Sequence, residues 1–280
     1  MKTLSRGRSI HTLIFTDLDG TLLDDRYDLA AAANALDAVV KLGAVAIPVT
    51  SKTRRECEAL NALRRIKTPL IFENGAGIAW QGIDYGDRAS IEIEGPGYAE
   101  LCERLDRVRV NGQFNFRGFN AMNAAELAER CGLSPEMASL ALAREATEPL
   151  VWEDTESSRR AFAEYLSMFR LQLVEGGRFL HVMPQTDKGM AAAKVVQRWF
   201  ECSGLSARTI GCGDSPNDQA LLEFTSSCIL FPRRDGSYLE LGADKPVCQA
   251  PLAGHEAWLR AVTAHLCATS KHPVPLEERR

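Results

Sequence analysis

Apolar and polar positions switch between two periods along this chain. Ile10–Thr16 is a short apolar run with β-branched members, which predicts a buried strand. Asp28–Leu42 carries apolar residues at helical spacing and stops at Gly43, which predicts a helix with a glycine C-cap. Ala44–Val49, Thr53–Ile66 and Pro69–Phe72 then predict strand, helix and strand. This β-α-β-α-β order predicts a parallel sheet with right-handed crossovers. The same grammar returns near the end of the chain. Lys188–Phe200 reads as a helix, Arg208–Cys212 as a strand and Asn217–Phe224 as a helix. Ser227–Phe231 reads as a strand, Glu256–Cys267 as a closing helix, and the tail KHPVPLEERR as a polar, frayed end.

The middle of the chain lacks that order. Ser90–Glu94 alternates, Leu101–Val108 is helical, and Asn123–Cys131 and Pro135–Arg144 predict two helices, the second with Ser134 as N-cap and Pro135 at the first position. Leu150–Trp152 predicts a strand, Arg159–Phe169 a helix, and Leu171–Val182 a hairpin turning at Gly176-Gly177. The expectation is an α/β fold: a Rossmann-like parallel-sheet core built from 1–81 and 186–280, with an α+β cap domain inserted at 82–185.

Composition narrows the picture. At 280 residues the chain has room for about two domains. With 45% hydrophobic and 25% charged residues it is an ordinary globular sequence, not a disordered or fibrous one. A net charge of -4 gives no basic face for nucleic acid. No stretch approaches the ~18 apolar residues of a membrane span, and the N-terminal residues lack the apolar core of a secretory signal. The 8 cysteines form no CxxC pair, and the histidines no HExxH. They read as reduced thiols of a cytoplasmic protein, without a zinc site. Oligomeric state is not legible.

Four short motifs carry candidate chemistry. TDLDGT (16–21) follows the first strand, so Asp17 and Asp19, two apart, can face one site. GCGDSPND (211–218) supplies Asp214 and Asp218 at another strand end, where open α/β sheets bind ligands. Thr50, in VTSKT, offers a hydroxyl and open backbone amides suited to a phosphate oxygen. Lys188, in TDKGM, sits in the first turn of a helix, where a cation opposes the helix dipole. Singly, each also reads as something plainer: a solvated acidic turn, a helix cap, a capping threonine, an exposed lysine. Together they pose an electrostatic problem. At about 4 Å and an effective dielectric near 20, each carboxylate pair costs about 4 kcal/mol, and one lysine does not offset four acids. A divalent ion with oxygen ligands does, and Mg²⁺ is the ion usually shared by carboxylates and phosphate. One carboxylate can then attack phosphorus while its neighbour moves the proton.

In this order these motifs resemble the haloacid dehalogenase-like phosphatases, over the whole outer domain. The resemblance implies Asp17 as nucleophile and Asp19 as general acid/base. It implies Mg²⁺ held by Asp17, the Asp19 carbonyl and Asp214 with Asp218 assisting, and Thr50 and Lys188 on the phosphate. The insert between the Thr50 and Lys188 motifs resembles the class IIB cap. PVTSKTRRE, ENGAGI, REATEPLVW, GGRFLHV and TDKGMA further resemble the mannosyl-3-phosphoglycerate phosphatases. Thr50-Ser51-Lys52 stands where most relatives with this cap read more like TGR. This narrower resemblance implies hydrolysis of 2-O-mannosyl-3-phosphoglycerate, a phosphorylated sugar-glycerate, to mannosylglycerate, a compatible solute. Lys52 and Arg178 are then candidates for the substrate's carboxylate or phosphate, Glu148 for sugar hydroxyls, and Asn74 for a place near the cap hinge. Arg144 also reads as a simple i,i+4 partner of Glu148. Glucosyl-3-phosphoglycerate, sucrose-phosphate or other sugar-phosphate hydrolysis, a phosphomutase, and a non-hydrolytic phospho-accepting switch remain open alternatives.

Overall fold

A computed structural model describes residues 12–24, 28–60, 68–81, 90–176, 179–242 and 245–270. In chain order the first elements are β1 (Thr12–Thr16), α1 (Leu29–Val40), β2 (Ala44–Pro48), α2 (Arg54–Ala59), β3 (Leu70–Phe72), β4 (Gly77–Trp80) and β5 (Ser90–Ile93). Then come α3 (Tyr98–Gly112), β6 (Phe116–Gly118), α4 (Ala124–Cys131), α5 (Pro135–Leu142), β7 (Glu148–Trp152), α6 (Glu156–Ser167), β8 (Leu171–Glu175) and β9 (Leu180–Pro184). The chain closes with α7 (Lys188–Ser203), β10 (Arg208–Gly213), α8 (Gln219–Phe224), β11 (Ser227–Leu230), β12 (Val247–Gln249) and α9 (His255–Ser270).

The fold is α/β and Rossmann-like. Five strands form one parallel sheet in the order β12-β11-β10-β1-β2. Strand alternation sends Ile14 to one face and Leu13 and Phe15 to the other. Ile14 packs with Leu36, Val39, Trp258 and Val262 from α1 and α9. Leu13 and Phe15 pack with Ala191, Val195 and Trp199 from α7. Both faces are thus covered, as an all-parallel sheet requires. The C-terminal ends of β1 and β10, lying side by side, bring residues 17 and 214 together from opposite ends of the chain.

One expectation needs correction. β3 does not continue the parallel sheet as a full member. It meets β2 through one isolated bridge, Val49 to Ile71, and pairs antiparallel with β4 instead, in a sheet β3-β4-β5. That sheet therefore takes strands from both sides of residue 82. Short strands β4, β6 and β12 were also not foreseen; none shows the alternation that a longer strand would. The expected end of the Thr53–Ile66 helix and the turn at Gly177 lie outside the described residues.

The middle segment has a four-stranded antiparallel sheet, β6-β7-β9-β8. Leu150, Leu171, Leu180 and Val182 cover one side of it, packed on Leu101, Leu105, Phe162 and Leu166 of α3 and α6. Gln172, Val174 and Met183 line a cavity of about 260 Å³, which Asn74, Lys188 and Asn217 also line. Among the described residues no helix is long and apolar enough to cross a membrane.

Candidate active site

Asp17 continues directly from β1, its amide donating to Cys212 O at 2.9 Å. Leu18 then turns into the core, fully buried. Gly20 has φ +76, a conformation that costs glycine nothing. A β-carbon there would lie 2.8 Å from Asp214 Oδ2, so the same glycine admits the second acidic loop. Thr21 Oγ1 donates to Asp214 Oδ1 at 3.1 Å. The DGT triplet is thus a seat for Asp214 as well as a turn.

In that second loop Pro216 opens a single 3-10 turn, Pro216–Asp218, with Ser215 as its cap. Asp218 folds back so that Oδ2 accepts the amides of Asp214 and Ser215, each at 3.1 Å. Its Oδ1 accepts from Lys188 Nζ at 2.6 Å, and the same ammonium donates to Asp17 Oδ1 at 2.7 Å. Asp17, Asp214 and Asp218 each offer an oxygen within 4.8 Å of the others. The Asp19 carboxylate stands outside this cluster and pairs with Lys52 Nζ at 2.9 Å.

Lys188 is the first residue of α7 and only 1% exposed. Asp187 caps that helix by accepting from Met190 N, leaving Lys188 free to reach inward. Its unfavourable place on the helix dipole is answered by two carboxylates. Burial pulls the ammonium down, but Asp17 and Asp218 more than offset it, and Lys188 titrates above the usual lysine range. Asp17 moves the other way. Burial pushes it well above the usual aspartate range, Lys188 opposes this, and Asp218, Asp214 and Asp19 push it further up. Asp214 is pushed up to about 6, first by burial and then by Asp218. These carboxylates therefore lack positive charge. The donors are all oxygens and mostly carboxylates, a set that fits a hard divalent ion such as Mg²⁺.

Thr50 is buried but does not cap the next helix. Thr53 does that, in a capping box with Glu56. The Thr50 hydroxyl accepts the Lys52 amide at 3.1 Å, and its carbonyl accepts Asn74 N at 2.9 Å. Asn74 Oδ1 accepts from Asn217 Nδ2 at 3.0 Å, joining the loop after β3 to the DSPND loop. Asn217 was not singled out from the sequence, although its place beside Asp218 was the available signal.

Two middle-segment expectations change. Glu148 is 1% exposed, with Oε2 accepting from Tyr98 Oη at 2.7 Å and Oε1 from Asn120 N at 2.9 Å. Burial pushes it up to about 7. Both oxygens are engaged inside the protein, so it is neither a surface charge nor an open acceptor for sugar hydroxyls. Arg144 does not bond Glu148, because α5 ends at Leu142 and residues 143–147 are not helical. Its guanidinium donates to Thr147 O and Thr147 Oγ1 at 2.9 and 2.5 Å, and approaches Glu73 Oε2 at 3.5 Å. Arg178 lies outside the described residues.

No protein-family model matches the chain. Solved structures do resemble it in fold. A haloacid dehalogenase-like hydrolase from Bacteroides thetaiotaomicron superposes with a TM-score of 0.61 at 14% identity, covering 92% of this chain and 99% of that one. A haloacid dehalogenase-like hydrolase from B. subtilis gives 0.58 at 16% identity, covering 94% and 99%. A sugar phosphatase of haloacid dehalogenase subclass IIB gives 0.60 at 15% identity, covering 92% and 99%. At these identities the likeness is one of fold, a haloacid dehalogenase-like fold over nearly the whole chain.

Proposed function

We propose that this chain is a Mg²⁺-dependent phosphatase of the haloacid dehalogenase type, acting on a phosphorylated sugar-glycerate, 2-O-mannosyl-3-phosphoglycerate. The observation that carries the reading is the convergence of Asp17, Asp214 and Asp218 within 4.8 Å, with Lys188 bonded to two of them. A crowded, under-compensated set of acids at strand C-termini suits a site that takes up a cation together with a phosphate.

In this reading Asp17 attacks phosphorus as the carboxylate nucleophile and carries the phosphoryl group, dividing the hydrolysis into two steps. Asp19 protonates the leaving oxygen and then takes a proton from the attacking water. Its half-exposed carboxylate is open to an incoming ligand. Asp17, the Asp19 carbonyl and Asp214 would hold Mg²⁺, with Asp218 assisting through the amides and the lysine that it binds; the ion would supply charge neutralisation for the transferring phosphoryl oxygens. Lys188 fixes Asp17 from one side, and Thr50, whose hydroxyl oxygen already accepts the Lys52 amide, turns its hydroxyl hydrogen to the phosphate. Lys52 and Arg178 are our candidates for the substrate's carboxylate. Residues 82–185 serve as the cap that selects the leaving group, and Asn74 lies where the chain leaves for that segment.

The sugar-glycerate substrate rests on the sequence motifs of both halves of the chain and on the subclass IIB sugar phosphatase among the structural neighbours. Phosphate release is the test, measured over glycosyl-3-phosphoglycerates, hexose phosphates and a small aryl phosphate. Release should be highest with the mannosyl compound, vanish with EDTA and return with Mg²⁺. Full activity in chelator would refute the metal-dependent reading, and preference for another sugar phosphate would move the substrate but keep the chemistry.

A further inference from the structure

Glu73 is a wholly buried carboxylate that the proposed chemistry does not use. It begins three consecutive residues with positive φ: Glu73 at +49, Asn74 at +58 and Gly75 at +94. Two of these are not glycine, so the turn is strained and must be held by its surroundings. Backbone bonds hold it to the loop after β2, Glu73 N to Lys52 O at 3.0 Å and Asn74 N to Thr50 O at 2.9 Å. At Gly75 a β-carbon would lie 2.2 Å from Asp187 O, so the turn is also pressed against the start of α7.

The side chain points the other way. Glu73 Oε1 accepts Glu145 N at 2.8 Å. Oε2 accepts Ala146 N at 3.1 Å, Thr147 N at 2.7 Å and Thr147 Oγ1 at 2.9 Å. One carboxylate thus closes three successive amides of the turn between α5 and β7. Further bonds run between the same two regions. Thr53 Oγ1 donates to Leu140 O at 2.9 Å, Arg54 forks onto Glu145 at 3.0 and 2.6 Å, and Arg144 Nη2 donates to Ser51 O at 3.4 Å. The residues so gripped, 51–54, include Lys52, the partner of Asp19.

We infer that Glu73 is a positioning residue, a latch whose carboxylate fixes the 145–147 turn of the middle segment onto the loops that carry Thr50, Lys52 and Asn74. By its backbone the turn belongs to the catalytic loops; by its carboxylate it belongs to the segment above them. Loosening the latch shifts whatever the middle segment contributes to substrate binding and leaves the Asp17 cluster in place. Substrates whose leaving group reaches that segment depend on Glu73; a phosphate with a small leaving group does not.

Glu73→Gln tests this. The amide turns an N–H₂ toward donors and leaves buried groups unpaired. Hydrogen exchange should quicken about tenfold or more at the 145–147 amides, with the α1 and α9 amides unchanged. The KM for 2-O-mannosyl-3-phosphoglycerate should rise about tenfold, while kcat/KM for a small aryl phosphate stays within about twofold. This kinetic arm rests on the phosphatase reading; the exchange arm does not. A wild type inactive on both substrates would therefore remove that reading and leave exchange to decide on the latch. Unchanged exchange, or equal loss on both substrates, overturns the latch. Should Glu73→Gln not fold, Thr147→Val removes the hydroxyl's bond to Glu73 and its bonds from Arg144 while keeping the three amide bonds, and carries the same expectations at smaller size, with the same overturning results.

Discussion

The acids of this protein are held in two contrasting ways. Glu73 is fully buried, receives hydrogen bonds from three amides and a hydroxyl, and has Arg144 alongside. Asp17 is nearly as buried, yet shares one lysine with Asp218 and lies against Asp214. Burial is the same in kind; satisfaction is not. A buried carboxylate with a full set of donors is part of the framework, since removing it strands its partners. A buried carboxylate crowded by like charges stores unfavourable energy that only an added cation relieves. The second condition, unlike the first, marks a place where chemistry happens.

The largest test of this contrast is Asp17→Asn. Turnover should fall by at least about 10³-fold, because the amide cannot carry the phosphoryl group. Tm should hold or rise, because one of several repelling carboxylates is gone. A variant that keeps its activity would remove Asp17 as nucleophile. A variant that unfolds would place Asp17 with Glu73 as framework and break the comparison.

Asp214→Asn sharpens it by one step. The Mg²⁺ concentration for half-maximal activity should rise about 10–100-fold, the loss usual for groups around a metal. Asp214 is pushed up to about 6, so protons compete with the metal as pH falls below that value. The wild-type Mg²⁺ requirement should then climb roughly tenfold per pH unit below about 6, and this climb should flatten in the variant. A requirement independent of both pH and residue 214 would take Asp214 out of the metal site.

How much of this was legible follows the same division. The Asp17 and Asp214 motifs sit where strand periodicity stops and a glycine or proline turn starts, so local sequence places both at strand ends. Their meeting then follows from the pairing of β1 with β10. The Glu73 contacts span more than 70 residues of sequence and leave no periodic trace. Arg144 and Glu148 have the spacing of a helical ion pair, but the helix ends before them and each finds a different partner. β3 reads as one more parallel strand because its apolar run is right; its pairing with β4 depends on the tight turn at Glu73–Gly75, whose positive φ values at two non-glycine residues no sequence pattern announces.

Glu148 lies between the two cases and offers the smallest test. It is buried and has two donors, Tyr98 and Asn120, but no cation bonded to it among the described residues, and burial pushes it up from 4.5 to about 7. A carboxyl raised on folding binds its proton more tightly in the folded state. Its stabilising contribution is therefore full below about 4.5 and is lost as pH rises through about 7. Glu148→Gln stays neutral throughout and can still bond Asn120 N and the Tyr98 hydroxyl. The variant should gain roughly 1–3 kcal/mol over wild type at pH 8, seen as a higher Tm, and the gain should vanish toward pH 4.5. If Glu148→Gln is instead less stable at every pH, two donors suffice to satisfy a buried carboxylate here. The line between framework and site acids would then be drawn by like-charge crowding alone, leaving Asp17 and Asp214 on one side of it and Glu148 with Glu73 on the other.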